Sequence, residues 1–519
     1  MQALILAAGT GSRLAPITDS VPKCMVPVNG ITMIENAIDA LVAAGIRKLV
    51  IGLGYKADVL RNYIATNFDD KRLKGMAIEF AENPVYDKTN NIYSLYLARE
   101  FFERDDTILL ESDLFFDKRI IKQLVATEDP NVAVVSHFEP WMDGTCTTID
   151  EENNVTALID KNHFKFSEVD SYYKTVNIYK FSKDFINDVY MPLLEAYQSV
   201  FGKNEYYETT LKMLIMLKPK LLKALPVSGD LWYESDDFAD LNISESRFAK
   251  PSRKLKLMEQ RDGGTWRFPS LTDFTNSANA FFPPKKFLEE LNISVSDLVT
   301  RQPSSHFQQN LLASKLYKLL PENVAVSDSI ENLMDSIECM FDDTEELSYA
   351  DITYSDWTDS PVEITQKLLD DNPDTIFFKD LGQAYGIPGV KLAVLFCGNK
   401  ELVQTINAFL PENNVNSIAE YCMQILEKYK KDYNQSFKSM NEEYKRLSEA
   451  LSKIKGVKIQ TGGMSFIAVQ TKIDAKKVAE KLLDTYNMLV RVNEDKLNIC
   501  VRLPKENDAL IKAIKEILA

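Results

Sequence analysis

Small residues followed by two basic side chains stand near the start of the chain, in the stretch LILAAGTGSRLAPITDSVPK. Ala8, Gly9 and Gly11 close an apolar run, and residues this small let backbone N–H groups approach a polyphosphate closely. Arg13 and Lys23 follow, and their charges would neutralise such an anion. The stretch predicts a phosphate-binding loop, although the glycines alone equally fit a tight strand-to-helix turn with solvated basic residues.

Two acidic segments could supply a site for a hard cation. Asp113 follows an apolar run in LLESDLFF, and WYESDDFADL contains Glu234, Asp236 and Asp237. Carboxylate oxygens are ligands that Mg²⁺ prefers, and ligands of open α/β sheets bind beyond the carboxyl ends of the strands. Convergence of Asp113 with Asp236 would therefore form a magnesium site. A helix cap or a solvated acidic run is the other interpretation of Asp236.

Apolar strands that alternate with helical stretches must position these residues. The strand candidates are residues 3–6, 48–53, 77–80, 107–110 and 132–135, and the helix candidates are residues 32–44 and 92–101. This alternation predicts a parallel sheet with helices on both faces, a Rossmann-like doubly wound α/β fold.

The character of the chain changes in a basic, glycine-containing stretch at residues 247–267. We place a boundary there, which gives a first domain of residues 1–248 and a second α/β domain of residues 249–519. The second domain contains a helix-rich segment at residues 417–453 and alternating strands and helices after it. Two domains also suit a chain of 519 residues.

The run AAGTGSRLAPITDSVPK, with PVNG and ITMIENAIDAL after it, resembles the signature of the nucleotidyltransferase family that activates sugar phosphates and phosphocholine. The resemblance implies that an acceptor oxygen attacks the α-phosphorus of a nucleoside triphosphate in line and that pyrophosphate leaves. Arg13 and Lys23 would be catalytic, and Asp113 and Asp236 would hold Mg²⁺. The implied nucleotide-binding residues are Leu6, Ala8, Gly9, Thr10, Gly11, Ser12, Arg13, Lys23, Gly54, Tyr55, Asn90, Ser94 and Ser112.

The acceptor is expected to carry an amine. Sugar-phosphate members of the family have a Gly-Asp pair and a Glu-Lys-Pro segment where this chain has Ser112 before Asp113, and Asp160, Lys161 and Asn162. The segments KTNNIYSLYLA, WMDGT and YYKTVNIY are instead similar to those of phosphocholine and 2-aminoethylphosphonate cytidylyltransferases. The resemblance implies CTP and a small phosphate- or phosphonate-bearing amine. A sugar 1-phosphate acceptor, and UTP or dTTP as donor, stay open alternatives.

Aromatic and acidic side chains in these segments could surround the amine by cation–π and ionic attraction. Lys174 and Asn177 could meet the phosphate or phosphonate end. Taken singly, each aromatic residue is more often part of a core than of a cage. The predicted acceptor-binding residues are Tyr93, Trp141, Asp143, Lys174, Asn177 and Glu208, with Tyr172 and Tyr173 completing the aromatic set.

The second half contains TIFFKDLGQAYGIPGVKLAVLF, which resembles the lysine-bearing segment of fold-type I, pyridoxal-phosphate-dependent aminotransferases; NSANAFFPP, DITY and the C-terminal NICVRLPKENDALIKAIKEIL resemble other segments of that family. The Schiff-base lysine of the family falls on Gln383, whose amide cannot form an imine, and two of its arginines fall on Lys391 and Asn498. The resemblance implies a truncated, inactive domain without pyridoxal phosphate that serves dimerisation or regulation. The alternative is a bifunctional enzyme with an active aminotransferase, in which Lys379 forms the imine.

The composition limits the classes of molecule that the protein is expected to bind. Sixty Lys and Arg against 76 Asp and Glu give a net charge of -16, a sign that repels nucleic acid. The six cysteines show no CxxC or short spacing with histidine, so neither a zinc site nor a disulfide framework is expected. No apolar run approaches the ~18 residues that span a bilayer, and MQALILAAGTG lacks the basic leader of a signal peptide. We expect a soluble cytoplasmic homodimer without nucleic-acid or membrane partners.

Overall fold

The computed structural model describes residues 1–339, 347–460 and 465–519. The described chain forms two compact units, Met1–Ser270 and Leu271–Ala519. Strands and helices alternate in both units, so the predicted α/β fold class is confirmed.

The first unit contains a nine-stranded sheet and two separate pairs of short strands. Its strands are β1 (Gln2–Ala7), β2 (Pro27–Val28), β3 (Ile31–Thr32), β4 (Lys48–Leu53), β5 (Ala77–Glu82), β6 (Thr107–Glu111), β7 (Leu114–Phe116), β8 (Val132–His137), β9 (Cys146–Ile149), β10 (Val155–Ile159), β11 (Tyr173–Phe181), β12 (Lys223–Val227) and β13 (Trp232–Glu234). Its α-helices are α1 (Met33–Ala43), α2 (Ala57–Asn67), α3 (Asp70–Leu73), α4 (Asn91–Leu97), α5 (Arg99–Phe102), α6 (Arg119–Ala126), α7 (Lys183–Phe185), α8 (Met191–Phe201), α9 (Tyr207–Leu217), α10 (Phe238–Phe248) and α11 (Pro251–Arg261).

Four parallel strands in the order β5-β4-β1-β6 form one side of a nine-stranded sheet. Beyond β6 lies β11, which runs antiparallel to both β6 and β8. β12 then pairs with β8, and the β9-β10 hairpin pairs with β11. Parallel pairing is therefore found among β5, β4, β1 and β6 and again between β8 and β12, and the reversed β11 makes the whole sheet mixed. An apolar pattern identifies a strand but does not encode its direction.

Side chains of the central strands alternate between two apolar cores, one on each face of the sheet. On β1, Ala3 and Ile5 enter one core while Leu4 and Leu6 enter the other, which is the two-residue period of a strand. Helices α1, α2 and α6 contribute to the first core, and α4, α8 and α9 contribute to the second. The sheet is thus covered on both faces, as predicted.

The division between the units lies later in the chain than the predicted boundary at Ala249. Helix α11 begins at Pro251, and Arg261 in its last turn donates a hydrogen bond to Ser246 Oγ in α10 at 3.4 Å. Residues 251–261 of the basic stretch that the sequence suggested as a separator therefore form a helix of the first unit.

The second unit contains two smaller sheets. Its strands are β14 (Thr272–Asp273), β15 (Val324–Ser327), β16 (Ser348–Asp351), β17 (Thr375–Asp380), β18 (Ala393–Cys397), β19 (Val457–Gln460), β20 (Phe466–Thr471), β21 (Met488–Leu489), β22 (Arg491–Asn493) and β23 (Lys496–Cys500). Its α-helices are α12 (Lys285–Thr300), α13 (His306–Tyr317), α14 (Ile330–Glu338), α15 (Gln366–Asp371), α16 (Leu381–Ala384), α17 (Lys400–Phe409), α18 (Ser417–Leu426), α19 (Lys430–Ser452), α20 (Ala475–Tyr486) and α21 (Pro504–Leu518).

One sheet of this unit has the order β15-β18-β17-β16 and the other has the order β19-β20-β23-β22. On β17, Phe377 and Phe378 enter different cores, so helices cover both faces of the first sheet as well. The helix-rich segment predicted at residues 417–453 corresponds to α18 and α19. Among the described helices, none has both the length and the apolar character needed to cross a membrane.

Candidate functional site

The loop that follows β1 is tightly packed at Gly11 and open at Gly9. Gly11 has a φ of 64° and begins a short 3-10 turn at Ser12. A side chain at Gly11 could not be accommodated, because its Cβ would lie 2.7 Å from Cβ of Lys23. Gly9 is different, since a Cβ there would meet no protein atom within 4 Å. The loop therefore packs against Lys23 on one side and leaves open space at Gly9.

Three carboxylates converge beside this loop. Oxygen atoms of Asp113, Glu234 and Asp236 all lie within 4.8 Å of one another. Pairing of β13 with β7 places Glu234 opposite Leu114, and the N–H of Ser235 donates to the Asp113 carbonyl at 3.0 Å. The predicted convergence of Asp113 with Asp236 is thus found, with Glu234 as a third member that the prediction did not include.

The donor set of this cluster fits Mg²⁺. Oδ1 of Asp113 is buried and accepts no hydrogen bond from any residue that the structure describes. A buried oxygen of this kind normally has a partner, and hard carboxylate oxygens are what Mg²⁺ requires. Asp113, Glu234 and Asp236 are therefore suitable to hold this cation.

Two basic side chains reach the cluster. Lys23 Nζ lies 2.7 Å from Asp113 Oδ2 and 2.5 Å from Asp236 Oδ1, and an Arg13 Nη lies 2.9 Å from Asp236 Oδ2. Burial alone would lower the pKa of Lys23, but the charges of the two aspartates outweigh burial and raise it. Burial opposes ionisation of Asp113, yet Lys23 holds the pKa of that carboxyl below its usual range. Arg13 and Lys23, the two residues predicted to be catalytic, thus contact the predicted metal ligands.

A buried lysine extends the charge network. Lys174 is 2% exposed; its Nζ lies 3.6 Å from Glu234 Oε2 and donates to the Thr175 carbonyl at 2.7 Å. Burial, opposed by Lys174 and reinforced by the nearby aspartates, raises the pKa of Glu234 to about 7. Lys174 therefore stands beside the carboxylate cluster, where an anionic group of a substrate would find positive charge.

A cavity of about 1060 Å³ joins these groups within the first unit. Asp113 and Asp236 line it, and so do most residues predicted to bind nucleotide or acceptor. Those residues are Leu6, Ala8, Gly9, Thr10, Gly11, Ser12, Arg13, Lys23, Asn90, Ser94, Ser112, Trp141, Asp143, Lys174, Asn177 and Glu208.

Two predicted nucleotide-binding residues lie behind the loop rather than in the cavity wall. A Cβ at Gly54 would lie 2.7 Å from both Cβ and O of Ala8, so Gly54 permits close packing of two strand ends. The N–H of Tyr55 donates to the Ala8 carbonyl at 3.1 Å, and its hydroxyl donates to the Thr18 carbonyl at 2.9 Å. Gly54 and Tyr55 thus support the loop.

The predicted aromatic cage is not assembled. Of its members, Trp141 lines the cavity. Tyr93 lies under the ammonium of Lys203, with 4.2 Å between Nζ and the ring centroid. Tyr172 is buried in aromatic packing, and Tyr173 lies edge-on to a histidine ring at 5.4 Å. These three tyrosines do not line the cavity, because their rings are used in packing elsewhere.

One cavity residue that the sequence analysis missed is Glu111. It ends β6, and Asn91 Nδ2 donates to its Oε1 at 3.0 Å. Burial and the charges of Asp113 and Glu208 raise the pKa of Glu111 well above its usual range. A carboxylate at the end of a buried strand, two residues before a predicted metal ligand, was the available signal. Further lining residues outside the predictions include Tyr86, Asp160, Lys161, Tyr197, Tyr206, Tyr207, Lys212 and Met216.

The second unit was predicted to lack a Schiff-base lysine. Gln383 stands in the first turn after β17, and its Oε1 accepts a hydrogen bond from Ser277 Oγ at 3.3 Å. Lys379 is 4% exposed, and its Nζ lies 2.5 Å from Asp356 Oδ2. Gln383 carries an amide, and the ammonium of Lys379 is held in an ion pair. Neither side chain therefore fits covalent attachment of pyridoxal phosphate.

Comparisons with known proteins relate to both halves. Residues 2–201 match the family model described as Nucleotidyl transferase. CMP-5'-(3-aminopropyl)phosphonate synthase from Streptomyces rubellomurinus is 22% identical over 100% of this chain and 95% of its own length. CTP:phosphoglutamine cytidylyltransferase from Campylobacter jejuni is 29% identical over 47% of this chain and 98% of its own. A solved L-threonine-O-3-phosphate decarboxylase from Porphyromonas gingivalis, similar to the C-terminal half, covers 48% of this chain and 99% of its own, with 14% identity and a TM-score of 0.43.

Proposed function

We propose that this chain, a nucleotidyltransferase by its residues 2–201, transfers CMP from CTP to a small phosphate- or phosphonate-bearing amine and releases pyrophosphate. The observation that carries the proposal is one cavity shared by the phosphate-binding loop, the carboxylate cluster and buried Lys174. Two relatives are named as a CMP-aminopropylphosphonate synthase and a CTP:phosphoglutamine cytidylyltransferase. Those names support CTP as the donor and an amine-bearing phosphonate or phosphate as the acceptor.

The donor side of the reaction would use the loop and its basic residues. Backbone N–H groups near Gly9 bind the triphosphate, since open space at that residue allows close approach. Arg13 and Lys23 supply positive charge against the leaving pyrophosphate. Asp113, Glu234 and Asp236 would hold Mg²⁺, which when bound offsets the charge that develops on the phosphoryl oxygens.

The acceptor side would use Lys174. Its buried ammonium binds the phosphate or phosphonate group and turns one of its oxygens toward the α-phosphorus of CTP. That oxygen forms the new bond to phosphorus, the bond between the α-phosphorus and its bridging oxygen breaks, and pyrophosphate leaves from the opposite side. Positioning and charge are sufficient for this step, so no covalent enzyme nucleophile is required.

A pyrophosphate-release screen tests the proposal. The purified full chain is incubated with Mg²⁺ and each of CTP, UTP, ATP, GTP and dTTP against 2-aminoethylphosphonate, phosphoethanolamine, phosphocholine and glucose 1-phosphate. We expect release with CTP and an amine-bearing acceptor. Release only with a sugar phosphate would contradict the acceptor, and release only with another nucleotide would contradict the donor.

We also propose that the second unit is a non-catalytic module for dimerisation or regulation. Gln383 cannot form an imine, and the ion pair of Lys379 with Asp356 withholds the nearby amine. We expect the purified chain to show no pyridoxal absorbance and to run as a dimer in light scattering. A stoichiometric pyridoxal chromophore would contradict the loss of chemistry, and a monomer would leave regulation as the role to test.

A further inference from the structure

Two carboxylates in the cavity wall have no role in the proposed phosphoryl transfer. They are Glu111, which ends β6, and Glu208, which lies in the first turn of α9. Asn91 links the two elements: its Nδ2 donates to Glu111 Oε1 at 3.0 Å, and its Oδ1 accepts from the N–H of Tyr207 at 3.1 Å. A single amide therefore fixes the end of β6 to the start of α9 and holds the two acids on one wall.

Hydroxyl groups orient Glu208. Thr145 Oγ1 donates to its Oε2 at 2.6 Å, and Thr175 Oγ1 and the Tyr179 hydroxyl donate to its Oε1. Thr175 lies at a bulge, because the pairing of β11 with β8 shifts register before Tyr179, and Asn177 within it has a φ of 58°. Bulges beside active sites re-aim side chains. Here the bulge brings Asn177 to the same cavity as Glu208.

The two acids lack a cation of their own. Among the ion pairs of the described residues, none includes Glu111 or Glu208, and Lys174 forms its ion pair with Glu234. Carboxylates withdrawn from water without a counter-charge carry a large desolvation penalty. A cationic group of a substrate would remove that penalty.

The surroundings distinguish one class of cation from another. A primary ammonium has three N–H donors and is satisfied by carboxylate and amide oxygens. A trimethylammonium has no N–H donor and is bound mainly through aromatic faces. The rings of Tyr86, Trp141, Tyr197, Tyr206 and Tyr207 line the cavity, but all of them except Tyr206 pack against other rings. The groups that hydrogen-bond to Glu208 and Glu111 are the hydroxyls of Thr145, Thr175 and Tyr179 and the amide of Asn91.

We infer that Glu111 and Glu208 bind the amine of the acceptor and that this amine is a primary ammonium, not a quaternary one. The inference rests on the proposed function and narrows its acceptor to primary amino-phosphonates and amino-phosphates. The phosphoryl end then lies at Lys174 and the ammonium end at the two glutamates. Specificity comes from hydrogen-bonded charge, which a methylated amine cannot match.

The test compares matched acceptors on the full chain with CTP and Mg²⁺. Phosphoethanolamine and phosphocholine differ only in the three methyl groups on nitrogen, and pyrophosphate release gives kcat/KM for each. We expect phosphoethanolamine to be favoured roughly 10- to 100-fold, the range for loss of hydrogen bonds to a charged group. Equal values, or a preference for phosphocholine, would overturn the inference. Absence of release with every amine would instead refute the proposed function.

Variants separate the amine site from the rest of the cavity. Glu208→Gln and Glu111→Gln are expected to raise KM for phosphoethanolamine roughly 10-fold or more while leaving KM for CTP unchanged. Glu205→Gln, in the loop before α9 and outside the cavity lining, is the matched control and should change neither value. The Mg²⁺ concentration for half-maximal rate should stay the same in Glu111→Gln. A rise in KM for CTP with no change for the amine would contradict the assignment.

Discussion

The ammonium of Lys23 lies 2.7 Å from Oδ2 of Asp113, so a basic group from the segment after β1 contacts the carboxylate that follows β6. The same ammonium contacts Asp236 at 2.5 Å. One positive charge thus offsets two negative charges that would otherwise repel each other at the end of the sheet. Lys23 and a bound divalent cation are therefore alternative sources of the positive charge that this cluster needs.

Replacing Lys23 should make the fold more dependent on a divalent cation. In Lys23→Met the cluster loses its ammonium, and we expect metal-free protein to be destabilised by about 3–5 kcal/mol, as when one partner of a buried ion pair is removed. Added Mg²⁺ should then raise Tm more in the variant than in the wild type. Thermal unfolding in EDTA and in Mg²⁺ measures both effects. Lys122→Met, at an exposed position of α6, is the control, and an equal Mg²⁺ effect in all three proteins would contradict the prediction.

Two adjacent aspartates should differ sharply in their importance. Asp236 contacts Lys23 and belongs to the carboxylate cluster, whereas Asp237 is the N-cap of α10 and accepts from the N–H of Ala239 at 2.7 Å. Asp236→Asn should lower kcat/KM roughly 10²-fold or more, because a charge that acts on the transferring phosphoryl group is lost. Asp237→Asn should keep nearly full activity, since asparagine caps helices as well as aspartate does. Similar losses in the two variants would argue against the assigned metal site.

Alanine substitutions at Gly54 and Gly9 should affect different properties, folding stability at the first and CTP binding at the second. At Gly54 the added Cβ would lie 2.7 Å from Ala8, and we expect Gly54→Ala to lose about 1–3 kcal/mol of folding stability from overpacking. At Gly9 the Cβ would meet no protein atom within 4 Å, so Gly9→Ala should keep its Tm. KM for CTP should nevertheless rise in Gly9→Ala, because the methyl group blocks close approach of the phosphates. Urea unfolding and steady-state kinetics measure the two effects, and an unchanged KM would place the nucleotide elsewhere.

Local patterns in the sequence were sufficient to predict the strand ends at which Arg13, Asp113 and Asp236 lie. Arg13 lies in the loop that follows β1, and Asp113 lies shortly after the end of β6. Asp236 follows β13, another short strand, so strand ends alone bring it close to Asp113. Such residues are predictable because the element that positions each one is its immediate neighbour in the chain.

The acceptor side was less predictable, because it depends on which way each side chain faces. Tyr93 lies in the first turns of α4, and only the packing of that helix decides that its ring meets Lys203 and not the cavity. Asn177 reaches the cavity through a bulge whose register no apolar pattern records. Glu111 ends β6 and Asp113 follows two residues later, so the same strand end carries a second acid that the apolar pattern did not single out.

The ion pair of Lys379 with Asp356 should contribute substantially to the stability of the second unit. Lys379 is 4% exposed, its ammonium lies 2.5 Å from Asp356 Oδ2, and the Tyr433 hydroxyl donates to the same oxygen at 2.6 Å. Asp356→Asn leaves the ammonium buried without a counter-charge, and we expect a loss of about 3 kcal/mol or more. Asp359→Asn is the matched control, because its partner Lys445 is exposed and such pairs contribute little.

Urea unfolding followed by hydrogen exchange in peptides of Leu271–Ala519 measures this effect where it should occur. The same pair has a chemical consequence, because an ammonium held by Asp356 is not a free nucleophile. Incubation with pyridoxal phosphate and borohydride should therefore leave Lys379 unmodified in the wild type. Stoichiometric labelling of Lys379, or an Asp356→Asn variant as stable as Asp359→Asn, would show that the pair is open in solution and that the amine is available for imine chemistry after all.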